Sequence, residues 1–460
     1  MNRYDAIIIG TGQAGPSLAE RLANTGMHVA VIERGYFGGT CVNNGCTPTK
    51  TQIASAYVAR LAQRAAEYGV EVGPVKVNMA RVKARKDALV ERARTSLEEW
   101  LRGLPNVSVY QGQARFVSNR SVTVGADTLD AERIFINVGA RPHVPDLPGV
   151  REVPYLTSDT MMDVDFVPEH LLVVGGSYVG LEFAQMYRRF GSRVTVIEMA
   201  AQLIGREDPE ISQAISEILA AEDIEIRVNA RCLALESAPR GVQVRLECSA
   251  GAPRVSGTHV LLAVGRVPNT DDLGLREAGI ETDERGYIKV NDALETSVRN
   301  VYALGDCNGH GGFTHTAYND YEIVADNLLN GANRKVSDRI PIYALFTDPP
   351  LGRLGRTEAE ARRDGYKILI GRMPMSDVSR AREKGETQGL MKVLVDASSR
   401  QILGAAVLGV DGDEAVQSLV DAMYGHLPYT VVQHGVRIHP TVCELIPTML
   451  GELAPPASGH

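Results

Sequence analysis

One segment of this chain occurs twice with the same spacing, and that repetition restricts the possible folds more than any other feature. Residues 4–33 run from an apolar strand (AIII) through a turn with Gly10, Gly12 and Gly15 to a helix over 16–24. A second strand (HVAVI) follows and ends on Glu33. Residues 171–198 repeat the order: LLVV, then Gly175, Gly176, Ser177 and Gly180, a helix ending at Phe190, the strand RVTVI and Glu198. In both copies the acid stands 23 residues after the first glycine. Each copy predicts a βαβ unit. A glycine triplet alone carries little weight in a chain with 45 glycines. The strand before it, the helix after it and the acid closing the next strand make each match specific.

The chemistry accounts for the spacing. Glycines at the turn let backbone approach a pyrophosphate, which then rests on the positive end of the helix. The acid accepts hydrogen bonds from ribose hydroxyls. Ser177 replaces the middle glycine of the second copy and is small enough to keep most of the room. Two such units predict an α/β protein with two Rossmann-like dinucleotide-binding domains. Between them lie a long helical stretch over 52–101, dense in Ala, Arg and Glu, and a β-rich region ending IFINVGARP. Strands in HVLLAVGRVPN and VYALGDC follow. From about residue 338, short strands (KILIGRM, LMKVLVD, ILGAAVL) mix with helices as a separate α+β domain.

Length and charge exclude several partners. At 460 residues the chain holds two to four domains. Its 48 basic against 56 acidic residues, a net charge of −8, provide no basic field for nucleic acid or an anionic membrane. No apolar run approaches the roughly 18 residues of a membrane span. The start, MNRYDAIIIG, enters a strand directly, so the expected location is cytoplasmic. Six cysteines are too few for a secreted disulfide framework.

The spacing of two cysteines says more than their number. Cys41-Val-Asn-Asn-Gly-Cys46 follows the first βαβ unit and precedes a helix expected to start near Thr47-Pro48. Two thiols at this spacing can close a small ring, and the helix dipole favours a thiolate at Cys46. Zinc binding and inert packing are the competing readings, and no second ligand pair lies nearby for a metal. Cys232, Cys248 and Cys307 read as packing residues, as does Cys443 on a helix face.

The run Gly38-Gly39-Thr40-Cys41 to Cys46-Thr-Pro-Thr-Lys50 resembles the signature of the flavoprotein disulfide reductases, the family of glutathione reductase, dihydrolipoamide dehydrogenase and mercuric reductase. The resemblance extends over nearly the whole chain, through Tyr178 and Glu182, Gly305-Asp306 and His439-Pro440-Thr441. It implies an FAD-binding domain in two parts (1–145 and 269–337), an NAD(P)-binding domain (146–268) and a dimerisation domain (338–460). It places FAD on Gly10, Gly12, Gly15, Glu33, Gly39, Thr40, Lys50, Gly139 and Asp306, and NAD(P)H on Gly175, Ser177, Tyr178, Gly180, Glu198 and Gly265.

The resemblance also implies roles. Cys41 is the interchange thiol that attacks the acceptor, and Cys46 the thiol against the isoalloxazine. Lys50 stands near flavin N5, paired with Glu182. Tyr178 covers the flavin until nicotinamide displaces it. His439, from the other subunit of a homodimer, is the acid-base for Cys41, a task suited to an ordinary pKa of about 6.5. Glu444 orients it, although Thr441-x-x-Glu444 also matches a helix capping box.

The implied activity is an NAD(P)H:disulfide oxidoreductase with a small-molecule disulfide or thiol-bound acceptor. Dihydrolipoamide oxidation, Hg(II) reduction and a low-turnover redox sensor are the alternatives. The additional cysteine pair that mercuric reductase carries has no counterpart in the stretch GELAPPASGH. Glu198 favours NADH, since an acid repels the 2′-phosphate of NADPH; Arg193 and Arg206 nearby keep NADPH in view. The segment 376–389, with Arg380, Arg382 and Lys384, reads as a solvated loop, or as an anion-selecting one if it faces the Cys41 cleft.

Overall fold

The computed structural model describes residues 2–456; the last four residues of the terminal stretch lie outside the described residues. Among the described residues, a seven-stranded sheet holds the first βαβ unit. Its order is Val107–Gln111, Val29–Glu33, Asn2–Ile9, Asp127–Ile136, Ser121–Val124 and Ala114–Phe116, with Val301–Ala303 also pairing with Asp127–Ile136. The strands nearest the glycine turn are parallel. Their apolar residues alternate between two cores: Ile7 and Ile9 enter one cluster, Ala6 and Ile8 another. A sheet covered on both faces needs such continuous apolar strands, which is why AIII carries no polar residue.

The second unit forms a four-stranded parallel sheet, Ile224–Arg227, Arg193–Ile197, His170–Val174 and His259–Leu262, backed by the helix Tyr178–Phe190. An antiparallel meander, Ala230–Ala238, Gly241–Cys248 and Arg254–Gly257, lies beside it in sequence. The stretch read as one long helix over 52–101 is instead two helices, Cys46–Gln63 and Met79–Gly103. Gly69, at φ +74°, begins a break that continues through Gly73 and Pro74, and Asn78 caps the second helix by accepting from the Arg81 N–H at 3.1 Å.

The C-terminal region is a five-stranded antiparallel sheet: Ile342–Leu345, Leu351–Gly355, Ile402–Leu408, Leu390–Asp396 and Ile368–Pro374. Its first two strands were not legible in the proline-rich sequence, because each is short and flanks the Pro349-Pro350 turn. Alternation sorts the strand Ile402–Leu408 between two partners. Ala405 and Val407 face the C-terminal helices, while Ala406 and Leu408 join the core around Phe183, Ile211 and Ile215 of the second nucleotide unit.

On that second face the sheet carries buried charge. Lys392, 1% exposed, meets Asp208 at 3.1 Å, Glu210 at 2.7 Å and Glu358 at 2.8 Å. Three carboxylates offset the desolvation of one ammonium, and removing the ammonium would leave them facing each other out of water. Lys392→Met is expected to cost about 3–5 kcal/mol, seen as a lowered urea midpoint for the transition that separates the sheet from the nucleotide unit.

Candidate active site

Both glycine turns open into one cavity of about 2020 Å³, which also receives Cys41, Cys46, Lys50, Tyr178, Glu182 and Asp306. This exceeds the roughly 300–1,000 Å³ of an ordinary ligand pocket and suits two dinucleotides end to end. At the first turn Gly10 has φ +102°, and a Cβ there would stand 2.3 Å from the Asn137 carbonyl oxygen; a Cβ on Gly15 would stand 2.3 Å from the Gly10 oxygen. Glu33 accepts from Thr11 N–H at 2.9 Å, its hydroxyl at 2.6 Å, and Gly35 N–H at 2.8 Å.

The second turn is built alike. A Cβ on Gly180 would lie 2.0 Å from the Gly175 oxygen. Glu198 accepts from the N–H groups of Gly176 and Ala200, each at 2.7 Å. Two backbone donors hold each acid in place, and its remaining lone pairs are free for ribose hydroxyls. Gly139 (φ +67°) and Gly265 (φ +120°) also line the cavity, where their backbone conformation, rather than space, requires glycine.

The residues fit FAD on an observation independent of the motif. Asn137 is buried among the first-turn glycines, and its Nδ2 has no hydrogen-bond partner in the protein. A buried amide left unpaired costs about 1–3 kcal/mol, so a polar ligand group at this point relieves it. Gly39 and Thr40 line the same half, and Arg266 donates to Thr40 Oγ1 at 3.3 Å. Asp306 lies 3.7 Å from Arg266 Nε. Burial raises the Asp306 pKa, and Arg266 opposes the rise.

The thiols lie where the two halves meet. Cys41 falls in the short helix Gly39–Asn43, and Cys46 is the first residue of the helix Cys46–Gln63. Both are free. The two thiols are shifted in opposite directions. The Cys41 hydrogen bond lowers the Cys46 pKa to about 6 despite burial, helped by Thr314 and the charge of Lys50. Cys41 moves up, because it holds the shared hydrogen, is buried and faces the Cys46 charge.

Thr314, which sequence reasoning missed, stands with Oγ1 3.3 Å from Cys46 Sγ at the start of the helix Thr314–Asn330. Its only signal was a position after the glycines of GHGGF. Lys50 Nζ meets Glu182 Oε2 at 2.5 Å and lies 4.5 Å from the Phe346 ring centroid. Glu182 Oε1 accepts the Phe346 N–H at 3.0 Å. The pair therefore joins the thiol helix, the second nucleotide unit and the C-terminal sheet.

His439 and Glu444 do not line this cavity. His439 Nδ1 lies 2.8 Å from Glu444 Oε2, and the ring side chain is 74% exposed. No capping box forms there: Thr441 Oγ1 donates to the Ile438 carbonyl at 2.7 Å, and Glu444 is taken by His439. Cys443 packs on the C-terminal core, and Cys307 is fully buried. Cys232 and Cys248 both pack against the core of the second nucleotide unit, and Cys232 also borders the cavity. The 376–389 residues do not line it either; Arg380 pairs with Glu383 at 3.3 Å and Lys384 with Asp411 at 3.2 Å.

Comparison with known proteins agrees with this arrangement. Residues 4–320 match the pyridine nucleotide-disulphide oxidoreductase family, and residues 342–450 match the dimerisation domain of the same proteins. The chain is 36% identical over 452 residues to the probable pyridine nucleotide-disulfide oxidoreductase RclA of Escherichia coli, covering 96% of this chain and 98% of the relative. It is 31% identical to a mercuric reductase of Staphylococcus aureus (95% and 81% covered) and 33% identical to a dihydrolipoyl dehydrogenase of Thermus scotoductus (96% and 95%). A solved structure described as the Cu(II) complex of the HOCl-induced flavoprotein disulfide reductase RclA from Escherichia coli superposes with a TM-score of 0.90, at 35% identity, covering 98% of this chain and 99% of that one. Two nucleotide turns, a thiol pair between them and full-length similarity to enzymes of one class lead to one assignment: the chain belongs to the class I pyridine nucleotide-disulfide oxidoreductases, FAD-dependent enzymes that use a pyridine nucleotide.

Proposed function

We propose that this protein is a cytoplasmic NADH-dependent reductase of a low-molecular-weight disulfide or thiol-ligated acceptor, working as a homodimer in which Cys41 attacks the acceptor. The placement of the Cys41–Cys46 pair between the two glycine turns, in one cavity, carries this reading. Bound FAD would take a hydride from the nicotinamide and return the electron pair to the Cys41–Cys46 disulfide. The remaining steps belong to the protein's own groups. Thr314 and Lys50 hold the Cys46 thiolate. Cys41 retains its proton and needs a base to become a nucleophile.

His439 is the base we assign, with Glu444 fixing its ring and leaving Nε2 free. Its exposure supports a role across a subunit interface, acting on the Cys41 of a second copy. Val436, 97% exposed, and Ile438, 80% exposed, stand beside it and favour burial by that copy. Tyr178 we assign as the ring that closes the nicotinamide side. Glu198 supports NADH, because its carboxylate is fixed by two backbone donors and cannot easily turn from a 2′-phosphate.

Two acceptor classes have support. The exposed dithiol suits disulfide exchange. The mercuric reductases and the Cu(II) complex of RclA among the relatives support a thiophilic metal ion as substrate. Assays with NADH against lipoamide, glutathione disulfide, other small disulfides, Hg(II)-thiol and Cu(II) complexes separate the two; failure of every acceptor would sink the reading.

Cys41→Ser is expected to lower turnover of the acceptor by about a thousandfold or more while NADH still bleaches the flavin, as followed by stopped-flow absorbance. Glu198→Gln is expected to narrow the NADH over NADPH preference in kcat/KM by about tenfold, roughly 1.4 kcal/mol, in steady-state assays. Alkylation of Cys46 in the reduced enzyme, resolved by peptide mass spectrometry, should fall as pH drops through about 6, where the thiolate is protonated. Thr314→Val removes a donor to that thiolate and should move the midpoint upward by about one pH unit.

A further inference from the structure

The buried charge on the C-terminal sheet is part of a longer row that ends at the proposed nicotinamide gate. Direct cross-strand partners share a face of a sheet. Tyr343 pairs with Arg353, Arg353 with Ala406, Ala406 with Lys392, and Lys392 with Arg372. Opposite this row runs the segment that starts the helix Pro209–Ala221. The Tyr343 hydroxyl donates to Glu207 Oε1. Arg353 Nη1 lies 3.9 Å from Glu207 and 3.7 Å from Asp208, Lys392 meets Asp208 and Glu210, and Arg372 meets Glu210 at 3.1 Å. Alanine at the centre lets the acids approach. The Glu207 and Arg353 side chains are 0% and 2% exposed, so this end of the row is shielded from water, while its Arg372 end is open to solvent.

At the far end, Tyr343 stacks on Phe313, with centroids 5.7 Å apart and planes within 5°. Tyr178 meets both rings edge-on, at 5.5 Å from Phe313 and 5.7 Å from Tyr343. The turn bearing Glu207 also touches the pyrophosphate loop: Ile204 N–H donates to the Gly176 carbonyl at 2.8 Å, and Glu207 N–H to the Ile204 carbonyl at 2.8 Å. Arg206, adjacent to Glu207, opposes the rise that burial gives the Tyr178 pKa.

We propose that Tyr343 is a positioning residue for the nicotinamide gate: Glu207, set by the buried row, fixes the Tyr343 ring so that Tyr178 is held closed against it, and the dinucleotide binds only by breaking that contact. The inference rests on the reading of Tyr178 as the closing ring. It assigns to the C-terminal sheet a share in nucleotide affinity.

Tyr343→Phe keeps the ring and frees it from Glu207. An edge-to-face aromatic pair contributes about 0.5–1.5 kcal/mol, so weakening it should tighten binding by roughly two- to tenfold. The dissociation constant of NAD⁺ from the oxidised holoenzyme, by isothermal titration calorimetry, is expected to fall by that factor, with the KM for NADH falling alongside it. Glu207→Gln keeps an acceptor for the hydroxyl without the charge and should lie between wild type and Tyr343→Phe; it carries the same test should Tyr343→Phe melt early. Unchanged or weaker NAD⁺ binding in both variants overturns the proposal. Tyr178→Ala separates the two levels. If it tightens NAD⁺ while Tyr343→Phe does not, only the positioning role fails; if it leaves NAD⁺ binding unchanged, the gate reading fails and the proposal with it.

Discussion

No side chain fits where the first helix of each nucleotide unit crosses its own strand. At Gly15 and Gly180 an added Cβ would lie 2.3 Å and 2.0 Å from the carbonyl oxygens of Gly10 and Gly175. These contacts of backbone on backbone bring each helix onto the end of its strand, with its unpaired N–H groups turned into the cavity. They also place Glu33 and Glu198 within reach of the turns they follow by 23 residues. The other site elements are arranged around these two anion-binding ends, and the thiol helix occupies the space between them.

Within that space the charges are divided rather than paired off. Lys50 serves Glu182 at 2.5 Å and lowers the Cys46 pKa through its field. Cys46 becomes the anion and Cys41 stays protonated. Two neighbouring thiols resist carrying two negative charges at once, so the first ionisation suppresses the second. The chemistry therefore requires a base, while His439 of the same chain stands outside the cavity and faces solvent. Among the described residues the Cys41–Cys46 pair and the His439–Glu444 pair stand in separate places, and the active site we propose needs two copies.

Much of this was legible in order of sequence because the signals are local. The two glycine turns and the helix starting at the second cysteine depend on residues near one another, and they fold as the spacing predicts. The helical stretch over 52–101 was misread as continuous because Ala, Arg and Glu favour helix on both sides of a short glycine-proline break. The capping reading of Thr441 and Glu444 failed because a nearby imidazole competes for the same carboxylate. Asn137 and Glu207 had no local signal and Thr314 only its place after the glycines of GHGGF, since each acts on a group at least 100 residues away or on a cavity formed by distant segments.

The sequence by itself determined the class of fold, the two nucleotide turns, the redox thiols and the family resemblance, because βαβ units and a closely spaced cysteine pair are fixed by spacing along the chain. Only the tertiary structure decided what supports the Cys46 charge and how the C-terminal sheet meets the nucleotide unit. Those outcomes depend on burial and on short distances between residues far apart in sequence, such as Cys46 with Thr314 at 3.3 Å and Arg353 with Asp208 at 3.7 Å. Electrostatic interaction falls with separation and grows as water is excluded, and neither quantity exists until the chain has packed.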